Sequence, residues 1–273
     1  MAIPSFDTGR RQQQSINPRI LVLEIRDRAC VEDPPIGWVI VEREEVYKRD
    51  PSGKICEASI RLSYQRITTR ASSFENGHGE FNGSYSSHFN AVSLTSSSMS
   101  NGSVYLSLPE LNGQRIGTYL MNVIVEWVQQ WPDASVNSIQ LLSGQARGDN
   151  KARRNRFYEQ FGLIFDYHDS AQREGSSRPM LVQGLSVVET WQENIFEHRM
   201  FGYLAEQLSE AESAQLKLGT LNHAFADLLA EQKKAEARPL RWAVRRLYGQ
   251  HSGAVIAGGA LAIFASLLWF KMG

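Results

Sequence analysis

The sequence predicts an α+β fold, a mixed sheet flanked by helices, with a long helical stretch behind it. Three observations carry this. Apolar runs bounded by turn residues recur at 19–26, 36–41 and 58–67. A strand-turn-helix order follows over 104–131, and a second strand and helix come after it. From 189 to 237 the chain turns helix-forming, with few glycines and no proline before Pro239.

Residues 19–26, R-I-L-V-L-E-I-R, read as a first strand, and 36–41, I-G-W-V-I-V, as a second, with Asp33-Pro34-Pro35 turning between them. Residues 58–67 alternate polar with apolar, as a half-buried antiparallel strand does. Residues 71–86 are rich in Ser, Gly and Asn without periodicity, which predicts a long loop. Residues 89–95 are expected to pair with 104–108, V-Y-L-S-L, a short apolar run closed by Pro109.

The polar turn Asn112-Gly113-Gln114-Arg115-Ile116-Gly117-Thr118 comes next. Ile116, Leu120, Val123 and Trp127 then recur at helical spacing until Pro132 stops the helix. A strand feeding a helix through such a turn leaves backbone N–H groups unpaired at the positive end of the helix dipole. That arrangement attracts phosphate. Residues 138–142 read as the next strand. Asp149 is a good N-cap for a helix with Phe157 and Phe161 one turn apart on a buried face, ended by Gly162. Residues 163–167 and 180–188 would form a closing hairpin.

Residues 106–120, L-S-L-P-E-L-N-G-Q-R-I-G-T-Y-L, resemble the acetyl-CoA-binding segment of the GNAT acetyltransferases, with Gly113, Ile116, Gly117 and Leu120 in register. Asn112 stands where arginine or glutamine is usual, and Arg115 where the middle glycine is usual. The guanidinium would either block the cofactor or supply charge to its phosphates. A second segment, F-Y-E-Q-F-G at 157–162, is similar to the family's later helix. There Asn150 lies one residue too far from Tyr158, and Arg154 replaces a usual alanine.

The resemblance implies a GNAT-like mixed central sheet over residues 19–188. It implies acetyl-CoA as acyl donor, held by Leu106, Leu108, Asn112, Gly113, Gln114, Arg115, Ile116, Gly117, Thr118, Asn150 and Tyr158. The amide near Leu108 would polarise the thioester carbonyl, and Tyr158 would protonate the departing thiolate. The acceptor would be an amine of undefined class. Glu110, Asp149 and His88 are options for the base. The helical segment that the family usually carries between its first two strands is not evident.

The charge balance narrows the classes. Lys plus Arg number 29, as do Asp plus Glu, so nothing asks for nucleic acid. Cys30 and Cys56 form no C-x-x-C pair, and the six histidines show no metal spacing, so no metal is expected. Residues 1–18 read as a loose polar arm.

Within 189–237, Leu204, Leu208, Ala211, Gln215, Leu218, Asn222, Phe225 and Leu229 follow a 4-3 spacing. It fits either a coiled-coil seam joining two copies or a helical hairpin on the preceding domain. Residues 238–252 form a basic segment. Residues 254–270 carry no charge and would span roughly 26 Å as a helix. This predicts one C-terminal transmembrane helix at 253–272, with the large N-terminal part facing the cytoplasm. A buried core helix or a partner-binding helix is the other reading of that run. Taken together, the sequence predicts a membrane-tethered N-acetyltransferase; the alternative is a catalytically degenerate fold serving as a binding or assembly module.

Overall fold

The computed structural model describes residues 15–67, 77–100, 102, 104–106, 108, 110–146, 148, 150–250 and 266. They fall into two compact units divided between Leu204 and Ala205.

The first unit is built on a seven-stranded sheet. Four long strands, β1 (Ser15–Ile25), β2 (Gly37–Arg49), β3 (Ile55–Ile67) and β4 (His78–Ser86), pair antiparallel in sequence order. Period-two burial explains the pairing. Val39 and Val41 on β2, with Ala58, Ile60, Leu62 and Tyr64 on β3, turn one face inward. Beyond β4 lies β5 (Ala91–Ser93). The helix α1 (Ile116–Val128) crosses over from there, and β6 (Ser135–Val136) returns parallel to β5. On the opposite edge β10 (Ile195–Arg199) pairs antiparallel with β1.

A second, three-stranded sheet carries β7 (Gln140–Leu141), β8 (Phe165–Tyr167) and β9 (Gly175–Ser177), with β9 in the middle. The helix α2 (Asn150–Glu159) connects β7 to β8. The core lies on and around α1, which is buried at eleven positions. Trp127, Tyr119, Phe81 and Phe161 are among the largest side chains fully enclosed.

Several sequence expectations are corrected. Residues 78–86 are a strand. Glycine is required there by close approach: a Cβ at Gly83 would lie 2.8 Å from Ile124 Cγ2 of α1, and one at Gly79 would lie 2.4 Å from Tyr64 Oη. Ala91–Ser93 pairs with β4 and β6, not with 104–108. The described residues of 104–108 form no strand. They are irregular, and Tyr64 Oη donates to the Tyr105 carbonyl at 3.2 Å. The strand closing against Phe165–Tyr167 is Gly175–Ser177, and 180–188 contains a single β-bridge from Leu181 to Ser135 and a short 3₁₀ turn, Val182–Gly184. Residues 195–199, read as helix, are an edge strand of the sheet.

The second unit is helical. The helix α3 (Met200–Ala237) begins at the end of β10 and α4 (Pro239–Gln250) follows it. Pro239 sits at the first position of α4, where its missing N–H costs nothing. The fold expected to end in a transmembrane helix is corrected to a mixed α+β fold with helices. No helix among the described residues is long and apolar enough to cross a membrane. Residues 253–272, the expected span, lie outside the described residues apart from Ser266.

Candidate functional site

Two features bear on a ligand site. The first is the parallel pair. β5 and β6 stay together through the bond from the Asn137 N–H to the Val92 carbonyl at 2.8 Å. The chain then leaves β5 for β9, where Ile139 and Ser177 exchange hydrogen bonds at 2.9 Å. The two strands therefore part at their carboxyl ends. The Asn137 side chain reaches the Met99 carbonyl at 3.1 Å beside this opening. Carboxyl ends of parallel strands are where α/β crossovers leave room for ligands.

The second feature is the helix terminus. The amides of Gly113, Arg115, Ile116, Gly117 and Thr118 donate to no described residue, and no acidic residue lies in the first turn of α1. The positive end of the dipole is uncovered. Gly113 takes φ +82°, and a Cβ added there would meet nothing within 4 Å, so the outer side of the turn is open.

The rest of the turn is held in place by its side chains and carbonyls. Arg28, from the β1–β2 connection, donates Nη1 to the Gly113 carbonyl at 3.1 Å, and its amide donates to Gln114 Oε1 at 3.2 Å. Asn194 Nδ2 donates to the Gln114 carbonyl at 3.2 Å. Arg115 adopts φ 63° and ψ 12°, the left-handed region that glycine favours. Its guanidinium does not fold over the amides. It pairs with Glu193 Oε2 at 2.5 Å and donates to the Thr190 carbonyl.

Leu106 and α2 complete the surroundings. A Cβ on Gly117 would lie 3.5 Å from both Leu106 Cδ2 and Phe157 Cε2, so the irregular segment, α1 and α2 meet at this glycine. Thr118 Oγ1 accepts from Gln160 at 3.2 Å. Leu108 is buried, and its carbonyl accepts from Leu111 at 3.1 Å. Asn112 is exposed. Asn150 stands apart, its Nδ2 donating to the Gln145 carbonyl at 2.6 Å.

Tyr158 is buried against Phe157 and Phe165, with ring centroids 5.0 and 5.8 Å away. Its hydroxyl makes no hydrogen bond to a described residue. Burial pushes its pKa up to about 12, and the charge of Arg154 pulls the other way. Arg154 lies one turn earlier on α2. It spans the Leu142 carbonyl at 2.8 Å and the Arg173 carbonyl at 2.9 Å, fixing the end of β7 to the β8–β9 turn. Of the candidate bases, Glu110 is paired with Arg66 at 2.8 Å, His88 stacks edge-on to Phe89, and Asp149 lies outside the described residues. Among the described residues no group of His, Cys, Asp and Glu is placed to hold a metal ion.

Arg28, Asn194 and Phe157 were not legible as site residues. Arg28 and Asn194 reach the turn from about 80 positions away in sequence, without a motif of their own. Phe157 read as a plain apolar position of its helix.

No protein-family profile matches this chain, and no curated protein matches its sequence. Among solved structures it is similar to a nourseothricin acetyltransferase. The identity is 13% and the TM-score 0.28, over 61% of this chain and 85% of that one.

Proposed function

We propose that this chain is an acyltransferase using acetyl-CoA as donor and an amine as acceptor. The observation that carries the proposal is the open turn at the start of α1: five amides with no partner among the described residues, at the uncovered positive end of a buried helix. The donor set suits a diphosphate, because an anion gains from several aligned N–H groups without displacing a protein partner. Arg28, already seated on the Gly113 carbonyl, would add positive charge beside it. The likeness of 106–120 and 157–162 to the GNAT segments points the same way.

Acetyl-CoA would supply the activated thioester. The protein's own groups would do three things. The amides at 113 and 115–118 would hold the diphosphate. The amide of Leu108, or one beside it, would steady negative charge developing on the acyl oxygen. Tyr158 would offer its proton to the leaving sulfur. With a pKa near 12 the phenol is fully protonated across the neutral range, so it is a donor there and never the base. The amine must therefore lose its proton to another group or to water.

A second reading is a binding module without turnover. Arg115 itself favours it, since a side chain stands at the position where the resembled family keeps glycine. One experiment separates the two. The full chain is incubated with acetyl-CoA and a panel of primary amines, and free thiol is measured. The proposal expects thiol release with at least one amine and a fall of about a hundredfold in Tyr158→Phe. A folded protein that releases no thiol with any amine, yet binds the cofactor, leaves the module reading.

A further inference from the structure

The helix α4 takes no part in the candidate site, and its two sides differ in kind. At one turn per 3.6 residues, Leu240, Ala243 and Val244 share one face. Arg241 and Arg246 lie on the other, joined by Arg238 just ahead of the helix. Leu240 is 83% exposed and Val244 67%, so nothing in the chain covers the apolar face. The three arginines are exposed too, and none pairs with a carboxylate among the described residues. The Arg246 guanidinium lies over the Trp242 ring, 4.9 Å from its centroid, which holds that charge on the basic side.

The surrounding sequence does not answer these charges. Residues 237–273 contain no Asp or Glu. The partner must therefore bring negative charge and a place for Leu240 and Val244 together. A second copy of α4 supplies the apolar surface but gathers arginines against arginines. A nucleic acid supplies the charge but leaves the apolar face in water. A bilayer with anionic headgroups supplies both at one level, since headgroups and acyl chains meet there. At 12 residues α4 is too short to cross a bilayer, so it would lie along the surface.

We infer that α4 docks on an anionic lipid surface, with Leu240 and Val244 entering the acyl boundary and the arginines among the headgroups. The inference is independent of the acyl-transfer reading, which uses none of these residues.

The test is co-flotation of the full chain with phosphatidylcholine vesicles, with and without phosphatidylglycerol. The inference expects binding to the phosphatidylglycerol vesicles alone. Raising the salt from about 0.1 M to about 1 M, which shortens the screening length from about 10 Å to about 3 Å, should release the protein. Partitioning should fall at least about tenfold when Arg238→Gln, Arg241→Gln and Arg246→Gln are combined, and also when Leu240→Gln and Val244→Gln are combined. All five side chains are exposed, so neither variant disturbs a core. Absence of binding to either vesicle would overturn the inference. So would equal binding to both, which would assign the contact to the uncharged run at 254–270. Undiminished binding in the Leu240→Gln, Val244→Gln variant would also overturn it, because charge alone would then suffice.

Discussion

At the scale of single residues, Arg115 is held in a left-handed conformation that costs an L-residue about 1–2 kcal/mol, and its side chain offsets this through Glu193 and Thr190. The two contributions can be separated. Arg115→Gly loses the contacts but relieves the backbone; Arg115→Ala loses the contacts and keeps the strain. Denaturant unfolding should therefore find the alanine variant less stable than the glycine variant by about 1 kcal/mol. Equal stabilities would mean that the turn relaxes when the side chain is removed. Tyr158 gives a pH signature. An unfolded tyrosine loses its proton near pH 10, while the folded one keeps it to about 12, because burial disfavours the phenolate. Between these values the folded state holds the extra proton, so stability falls as pH rises through that window. Tyr119 is raised as well, first by burial and then by its bond to Glu197, and adds to the slope. Unfolding midpoints measured from pH 9 upward should decline, and less steeply in Tyr158→Phe.

At the scale of elements, β1 to β3 and the helix α1 were legible because their apolar spacing matches their burial. β4 was not. Its E-F-N-G-S-Y-S sequence looks like loop because glycine and serine sit where α1 and Tyr64 come too close for larger side chains. The 104–108 run misled for the opposite reason. Leu106 and Leu108 are apolar because they cover α1 and the core from an irregular segment, and period-two apolarity does not distinguish that from a ladder. β10 hid in front of a long helix because I-F-E-H-R is too short to establish a period. The helix α3 raises a further question. Leu208, Leu218, Phe225 and Leu228 are each more than half exposed along 38 residues. A lone helix with such a face is marginal in water. The 4-3 spacing, with Gln215 and Asn222 able to pair with their own copies, predicts self-association through α3. Sedimentation of the full chain should give a dimer, and Leu218→Glu a monomer; a wild-type monomer at high concentration would reject the seam.

At the scale of the whole molecule, the candidate site depends on connections far apart in sequence. The turn at the start of α1 is steadied by Arg28 from the first strand connection and by Asn194 just ahead of the last strand. Local pattern could show a glycine-bearing turn before a helix, but not that its amides would find no partner among the described residues while its carbonyls and side chains were engaged. It could show a tyrosine on a helix, but not that the hydroxyl would be buried without a partner among the described residues. Those two facts decide whether the turn is a binding site or merely a bend, and both come from tertiary placement. The central claim is that the turn holds the diphosphate of a coenzyme A. Calorimetric titration of the full chain with acetyl-CoA tests it directly. The account predicts saturable binding at one site per chain, with affinity unchanged in Tyr158→Phe because the phenol acts on the sulfur and not on the phosphates. Absence of binding heat at about 5 mM acetyl-CoA, from protein that is folded, would contradict it.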